Sequence, residues 1–348
     1  MRKLLFSSYN RIFSVFSLVL LLCISGCGKS SPIVRTSFAF DTVVSITYYA
    51  KKDAKAVTQV MDRLEYYENI FSRTNPESEL YQVNAKLAEA KAAGTSPVKV
   101  AVSLELYRAL SLALEYAKKT GGAFDPTLGR LLELYDFSGK EHTVPTEAER
   151  TEILSHCGFE KLHVLPYGGL AVLDAPSPYP CQLTVDDPDL VIDLGGMAKG
   201  YIADCLKTEL HEAGVKSAII NLGGNILVLG EKPDGNDYTV GVQKPEAGSS
   251  EYLTTFLLKD ASAVTSGSYQ RFFEKDGKLY HHLLDPETGL PAESGLKSVT
   301  VVTENSAEAD ILSTSLFVMG EDAARAFLEN STGIAVYFVD KTDKMTVY

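Results

Sequence analysis

Five short segments of this 348-residue chain combine glycines, a turn and a polar side chain, as a backbone does where it must approach a ligand closely. In Asp193-Leu194-Gly195-Gly196-Met197-Ala198-Lys199-Gly200 the apolar run Leu190–Ile192 gives way to a helix. Two glycines bare the first amides of that helix, a natural seat for phosphate, and Lys199 adds a point charge. The spacing is neither that of a Walker loop nor that of a Rossmann fingerprint. In Ala309-Asp310-Ile311-Leu312-Ser313-Thr314 the oxygens of Asp310 and Thr314 are four residues apart on an otherwise apolar helix and face the same way. A hard cation such as Mg²⁺ takes such oxygens; a capping role for Asp310, a few residues after Asn305-Ser306, is the alternative.

A third stretch runs from Thr265-Ser266-Gly267-Ser268-Tyr269 to His281-His282-Leu283-Leu284-Asp285-Pro286-Glu287-Thr288-Gly289. His282 suits proton transfer near neutral pH, and Asp-Pro-x-Thr-Gly is the composition of a tight turn. The other two segments have plain structural readings when taken alone. Gly121-Gly122-Ala123-Phe124-Asp125-Pro126-Thr127 reads as a helix stop and restart, with Asp125 as cap and Pro126 in the first turn. Asn221-Leu222-Gly223-Gly224-Asn225 reads as a turn or bulge between strands.

Periodicity places these segments on elements. Residues 38–50 (FAFDTVVSITYYA) have strand composition. Val57, Val60, Met61, Leu64, Tyr67 and Phe71 give residues 52–71 helical spacing. Further helices are expected from Ser78, from Ser103 to Thr120, over 198–213, over 307–319 with Gly320 as stop, and from Glu321. Strands are expected at 217–221, 225–229, 237–243, 252–258, 261–265 and 334–339. Helices and strands are mixed without strict alternation, so the expected class is α+β in a single domain.

The ends and the composition bound the rest. Arg2, Lys3 and Arg11 precede thirteen residues, 12–24, interrupted only by Ser14 and Ser17, which is the pattern of a signal peptide and short for a bilayer span. Leu22-Cys23-Ile24-Ser25-Gly26-Cys27 resembles the lipobox of bacterial lipoproteins. That resemblance implies removal of 1–26, diacylation of Cys27 and a tether over 27–35, with the protein held by lipid at a membrane of the cell envelope, outside the cytoplasm. Loss of the leader takes three positive charges and no negative ones, moving the formal charge from −12 to −15. A nucleic-acid backbone is a poor partner for that surface. Cys157, Cys181 and Cys205 match no zinc spacing and read as small buried hydrophobes.

In this order and at these separations, the five segments, together with Phe40-Asp41-Thr42 and residues 72–84 (SRTNPESELYQVN), resemble the ApbE family of FAD:protein FMN transferases over residues 36–348. The resemblance implies a T-fold-like α+β enzyme that binds FAD, uses Mg²⁺, transfers FMN to a threonine or serine hydroxyl of an acceptor protein, an exported redox subunit, and releases AMP. It implies metal ligation by Asp310, Thr314 and the carbonyl of Gly196, with Ser313 in the same motif. It lines the FAD site with Phe40, Ala123, Phe124, Asp125, Asp193, Lys199, His282 and Leu283, and it puts Thr74 where relatives place an aromatic residue. His282, Lys199 and Asp310 are the candidate catalytic groups. Two departures stand out: Phe40-Asp41-Thr42 replaces the Met-Gly-Thr of many relatives, and the chain has no tryptophan to stack on a flavin. The rival functions are an FAD pyrophosphatase that uses water as acceptor, and a flavin-binding lipoprotein without chemistry.

Overall fold

Alternating β-branched and polar residues build two strands, β1 (Ile33–Ala39) and β2 (Thr42–Tyr48), where the composition suggested one run over 38–50. The chain reverses at Phe40 and Asp41, both at positive φ (55° and 57°), a two-residue turn whose twist matches the hairpin. Neither residue is a glycine, so composition does not announce the reversal. The computed structural model describes residues 31–137, 139, 142–166, 180–246 and 251–348. The leader, the lipobox and Cys27 lie outside the described residues.

Helix α1 (Ala54–Phe71) follows with the expected buried stripe. Ser78 caps α2 (Glu79–Ala92) by accepting from Tyr81 N, and Ser103 caps α3 (Leu104–Lys119) by accepting from Leu106 N, with β3 (Val98–Val102) between them. Next come α4 (Gly129–Tyr135), α5 (Glu147–His156), β4 (Leu162–Pro166), β5 (Cys181–Val185) and α6 (Ala198–Glu212). Strands β6 (Ala218–Leu222) through β10 then succeed one another: β7 (Asn225–Leu229), β8 (Tyr238–Gln243), β9 (Tyr252–Leu258) and β10 (Ser262–Gly267). A hairpin of β11 (Phe272–Lys275) and β12 (Lys278–His281) leads to β13 (Leu296–Thr303), α7 (Ser306–Met319), α8 (Glu321–Leu328), β14 (Ala335–Asp340) and β15 (Met345–Val347). The strand expected last is thus followed by another.

Eight strands form one antiparallel sheet in the order β1-β2-β6-β7-β10-β13-β14-β15. Its inner face (Val44, Ile46, Ile220, Leu227, Val299, Val301, Phe338) is fully buried against α6 and α7 in the main core. The β8–β9 ribbon covers part of the outer face, packing Tyr238 and Leu258 on Val228 and Ala263, with Phe256 stacked on Tyr337 at 5.1 Å. Sheet β3-β5-β4 packs with α3 to one side, and α4 joins the β11–β12 hairpin through Leu131, Tyr135, Phe273 and Leu284. Cys157, Cys181 and Cys205 are all free thiols. The α+β class expected from sequence is the class observed.

Candidate active site

Two tight turns and two helix ends meet at one end of the eight-stranded sheet around a cavity of about 1520 Å³. The β6–β7 turn is held by Gly223 and Gly224 at φ 62° and 99°, as the sequence suggested for that segment. A Cβ on Gly223 would fall 2.4 Å from the hydroxyl of Thr42, so glycine there lets this turn lie against the β1–β2 turn. Phe40, Asp41 and Thr42 line the cavity, and Phe40 N donates to Glu68 Oε1 at 3.3 Å.

The start of α6 is built by Asp193. Its Oδ1 accepts from Gly195 N at 2.8 Å, its Oδ2 accepts from Arg73 Nε at 2.8 Å, and its backbone N donates to Pro126 O at 2.8 Å. The last bond ties this segment to the one at 121–127. Asp125 there caps no helix, because α4 begins only at Gly129. Instead Oδ1 takes Thr127 N and Oγ1, and Oδ2 takes Phe159 N at 3.1 Å, fixing the loop that carries Ala123 and Phe124 to the cavity. Burial pushes the Asp125 carboxyl pKa up, with the Thr127 and Phe159 donors pulling it back.

Gly196 sits between two other site residues: a Cβ would lie 3.1 Å from the Phe124 ring and 3.8 Å from Thr314 Oγ1. Asp310 is 4 % exposed and accepts from Gly200 N at 2.9 Å through Oδ2. Its own helix is capped by Asn305, which accepts from Glu308 N, so the capping alternative for Asp310 gives way to a contact with a different helix. Burial raises the Asp310 pKa; nearby Lys199, the Gly200 amide and the Asn225 side chain favour the carboxylate. Thr314 Oγ1 lies 3.1 Å from Ser266 Oγ at the cavity wall. Ser313, from the same motif, is fully buried away from the cavity; its hydroxyl donates to Asp310 O at 2.9 Å and meets Ser266 Oγ at 2.8 Å, so it braces the ligand turn from behind. Asp310, Thr314 and Gly196 therefore line one cavity, and the carboxylate and hydroxyl oxygens of the first two are of the kind a hard cation prefers.

His282 and Leu283 line the same cavity. His282 Nδ1–H donates to Arg271 O at 3.2 Å, which leaves the lone pair on Nε2. The ring is flanked closely by protein although part of it opens on the cavity. Desolvation, with Arg271 beside it, pushes its pKa down to about 3, so it is neutral at physiological pH. His281 points elsewhere, edge-on to Phe317 at 5.5 Å in the core. The Asp-Pro-x-Thr-Gly stretch is the expected turn, closed by Gly289 N on Asp285 O at 2.8 Å. Lys199 lines the cavity with Nζ 3.4 Å from Gly195 O, and Thr74 is exposed on its rim, near Ser72.

Arg73 is the functional-site residue that sequence reasoning missed. It bridges Asp193 and Glu133 (2.8 and 2.7 Å) at the cavity wall, 120 residues from the turn it braces. Its one signal is being the only cation in the polar turn after α1. Glu152, His156 and Asp189 also place ligand atoms within 4.8 Å of one another, though none of the three lines the cavity. Arg130 and Lys91 both pair with Asp189, and His156 with Asp187, so this group is an ion-pair network.

Fold and site together define a single-domain α+β protein in which an oxygen-donor pair, Asp310 and Thr314, lies against a glycine-rich helix start in the wall of one large cavity. The chain belongs to the ApbE family, whose family model matches residues 40–338. It is 32% identical over 338 residues to the FAD:protein FMN transferase of Treponema pallidum, covering 92% of this chain and 89% of that one. It is 31% identical to that of Klebsiella pneumoniae, covering 96% and 91%. Among solved structures it resembles the ApbE protein of Thermotoga maritima (29% identity, TM-score 0.78) and the flavin transferase ApbE from Vibrio cholerae (27%, 0.75), each over 91% of this chain and 96% of the other.

Proposed function

We infer that this chain is an FAD:protein FMN transferase, moving FMN from FAD to a serine or threonine hydroxyl of an acceptor protein and releasing AMP. The observation that carries the reading is the convergence of Asp310, Thr314 and the Gly195-Gly196 helix start on one cavity that also holds His282. The family and its named transferases supply the substrate class.

Asp310, Thr314 and the carbonyl of Gly196 would hold Mg²⁺, which when bound supplies neutralisation of charge on the pyrophosphate oxygens. The ammonium of Lys199 receives the same anionic group, whereas the amides of Gly195, Met197, Ala198 and Gly200, expected from the sequence to seat a phosphate, are taken by Asp193, Leu194 and Asp310. The acceptor hydroxyl oxygen bonds to the phosphorus on the FMN side as the bond from that phosphorus to the bridging oxygen breaks, and AMP departs with that oxygen. The hydroxyl proton goes to His282 Nε2, the free nitrogen of the tautomer fixed by Arg271 O, whose basicity, lowered by desolvation, the anionic pyrophosphate beside it would raise. Arg73 holds Asp193, and through it the turn that presents Gly195 and Gly196.

The test is incubation with FAD, Mg²⁺ and an acceptor domain bearing Asp-Gly-x-(Ser/Thr)-Gly-Ala-(Ser/Thr). Flavin that stays on the acceptor after denaturation is the expected result. Free FMN and AMP alone would make the protein a pyrophosphatase; intact FAD would make it a binder. A folded His282→Ala protein with near-normal transfer would remove His282 from its role. The leader and lipobox support export and anchoring at the cell envelope by lipid on Cys27; Cys27→Ser should release the protein from the membrane fraction.

A further inference from the structure

The outer face of the eight-stranded sheet is not uniformly covered. From β6 onward the β8–β9 ribbon packs over part of it, whereas on β1 and β2 Phe38, Val43 and Val34 stand 71%, 61% and 57% exposed. Phe38 and Val43 are direct partners across the hairpin, so their side chains form one apolar patch. The opposite face of β2 is ordinary core, with Val44 and Ile46 fully buried.

β1 is also an open edge. Its seven residues pair with β2 in unbroken register and have no strand on the other side among the described residues, and the run IVRTSFA contains one charge and no proline. Natural sheets usually blunt such an edge with charge, proline or a bulge. The other end of this sheet is the three-residue β15. An unblunted edge beside an uncovered apolar face is the form that accepts an added strand.

The patch runs into the cavity. Phe38 and Val43 flank the Phe40-Asp41-Thr42 turn that forms its wall, and Ser45, two residues on along the same face, pairs with Asn221, another wall residue. We propose that an extended, apolar segment of the acceptor protein, flanking its serine or threonine, adds along β1 and packs on Phe38 and Val43, which delivers the hydroxyl past Phe40 into the cavity. The proposal rests on the transferase reading, since that reaction alone needs a polypeptide at this mouth.

The experiment compares wild-type protein with Phe38→Thr/Val43→Thr, changes that keep strand propensity at two residues that do not themselves line the cavity. The acceptor is the domain described above, with FAD saturating. The variant is expected to raise KM for the acceptor by about tenfold or more, the scale of one large apolar contact, with kcat and FAD affinity unchanged. Val34→Lys, farther from the mouth, should raise it less and serves if the double variant folds poorly. An unchanged acceptor KM in both variants overturns the docking face while leaving the transferase reading intact. Absence of covalent flavin with wild-type protein overturns that reading and this proposal with it. A wild-type dimer that becomes monomeric in the variant, with acceptor KM unchanged, assigns the edge to a second copy of this chain instead.

Discussion

Asp204 on α6 and Asp310 on α7 each reach across a helix crossing to the first amides of the other helix, and they engage their oxygens differently. Asp204 accepts from Ser306 N on Oδ1 (2.9 Å) and from Ala307 N on Oδ2 (2.8 Å). Asp310 accepts from Gly200 N on Oδ2 alone among the backbone amides. Both carboxylates meet the positive end of a helix, and burial raises both pKa values, that of Asp204 to about 6. Yet Asp204 is not in the wall of this cavity and has both oxygens tied to backbone, whereas Asp310 lines the site beside Thr314 with one oxygen free of backbone. A cross-cap that is complete holds a fold together. The same cap with an oxygen left over is the group we propose as a cation ligand.

The division can be broken most directly at Asp310. Asp310→Asn keeps an oxygen for Gly200 N but removes the charge, so covalent flavin transfer should fall by at least ~10²-fold, the scale of losing one preorganised electrostatic group, while the thermal midpoint barely moves. Activity near wild type would put the cation elsewhere. Gly200→Ala tests the crossing itself. A Cβ there would lie 2.3 Å from Ser306 O, so both caps must open, and denaturant titration should show a loss of about 1–3 kcal/mol together with reduced transfer. Asp204→Ala strands two amides and should also lower stability, by ~1–3 kcal/mol, with less than tenfold loss of transfer per folded molecule. Abolished transfer at intact stability would show that Asp204 is more than a cap.

The smallest effect concerns His281, 7 % exposed, whose Nδ1 has no partner and whose pKa desolvation lowers to about 4. The unfolded chain takes up this proton near the ordinary histidine value of 6.5 while the folded chain does not, so unfolding gains protons in that window. The stability of wild type relative to His281→Gln should therefore shrink as pH falls from 6.5 to 4 and stay constant above 7, as read from thermal midpoints.

Much of this was legible in the sequence because it is local. Ser78 and Ser103 cap the helices they precede, and the glycine pairs mark the turns they form. The class and the residues gathered around the cavity follow from segments that each act within a few positions. Three things were not legible, for one physical reason. Arg73 on Asp193, Asp310 on Gly200 and Asp204 on α7 are contacts across 120, 110 and about 100 residues, made by side chains whose local settings suit a solvated loop or an ordinary helix. Local rules also misplaced the start of α4, because Asp125 uses its oxygens on Thr127 and Phe159 instead of a helix. They missed the Phe40-Asp41 reversal, where two side-chain-bearing residues take a conformation usually left to glycine or asparagine.

β1 has one more consequence, which concerns distance. Its first residue pairs with Tyr48 at one end of the sheet, and its last leads into Phe40 at the cavity, about 20 Å away for seven extended residues. The chain preceding Ile33 thus joins the domain about 20 Å from the Phe40-Asp41-Thr42 turn. For a domain held by that preceding segment, the strand is a fixed spacer between the point of attachment and that turn.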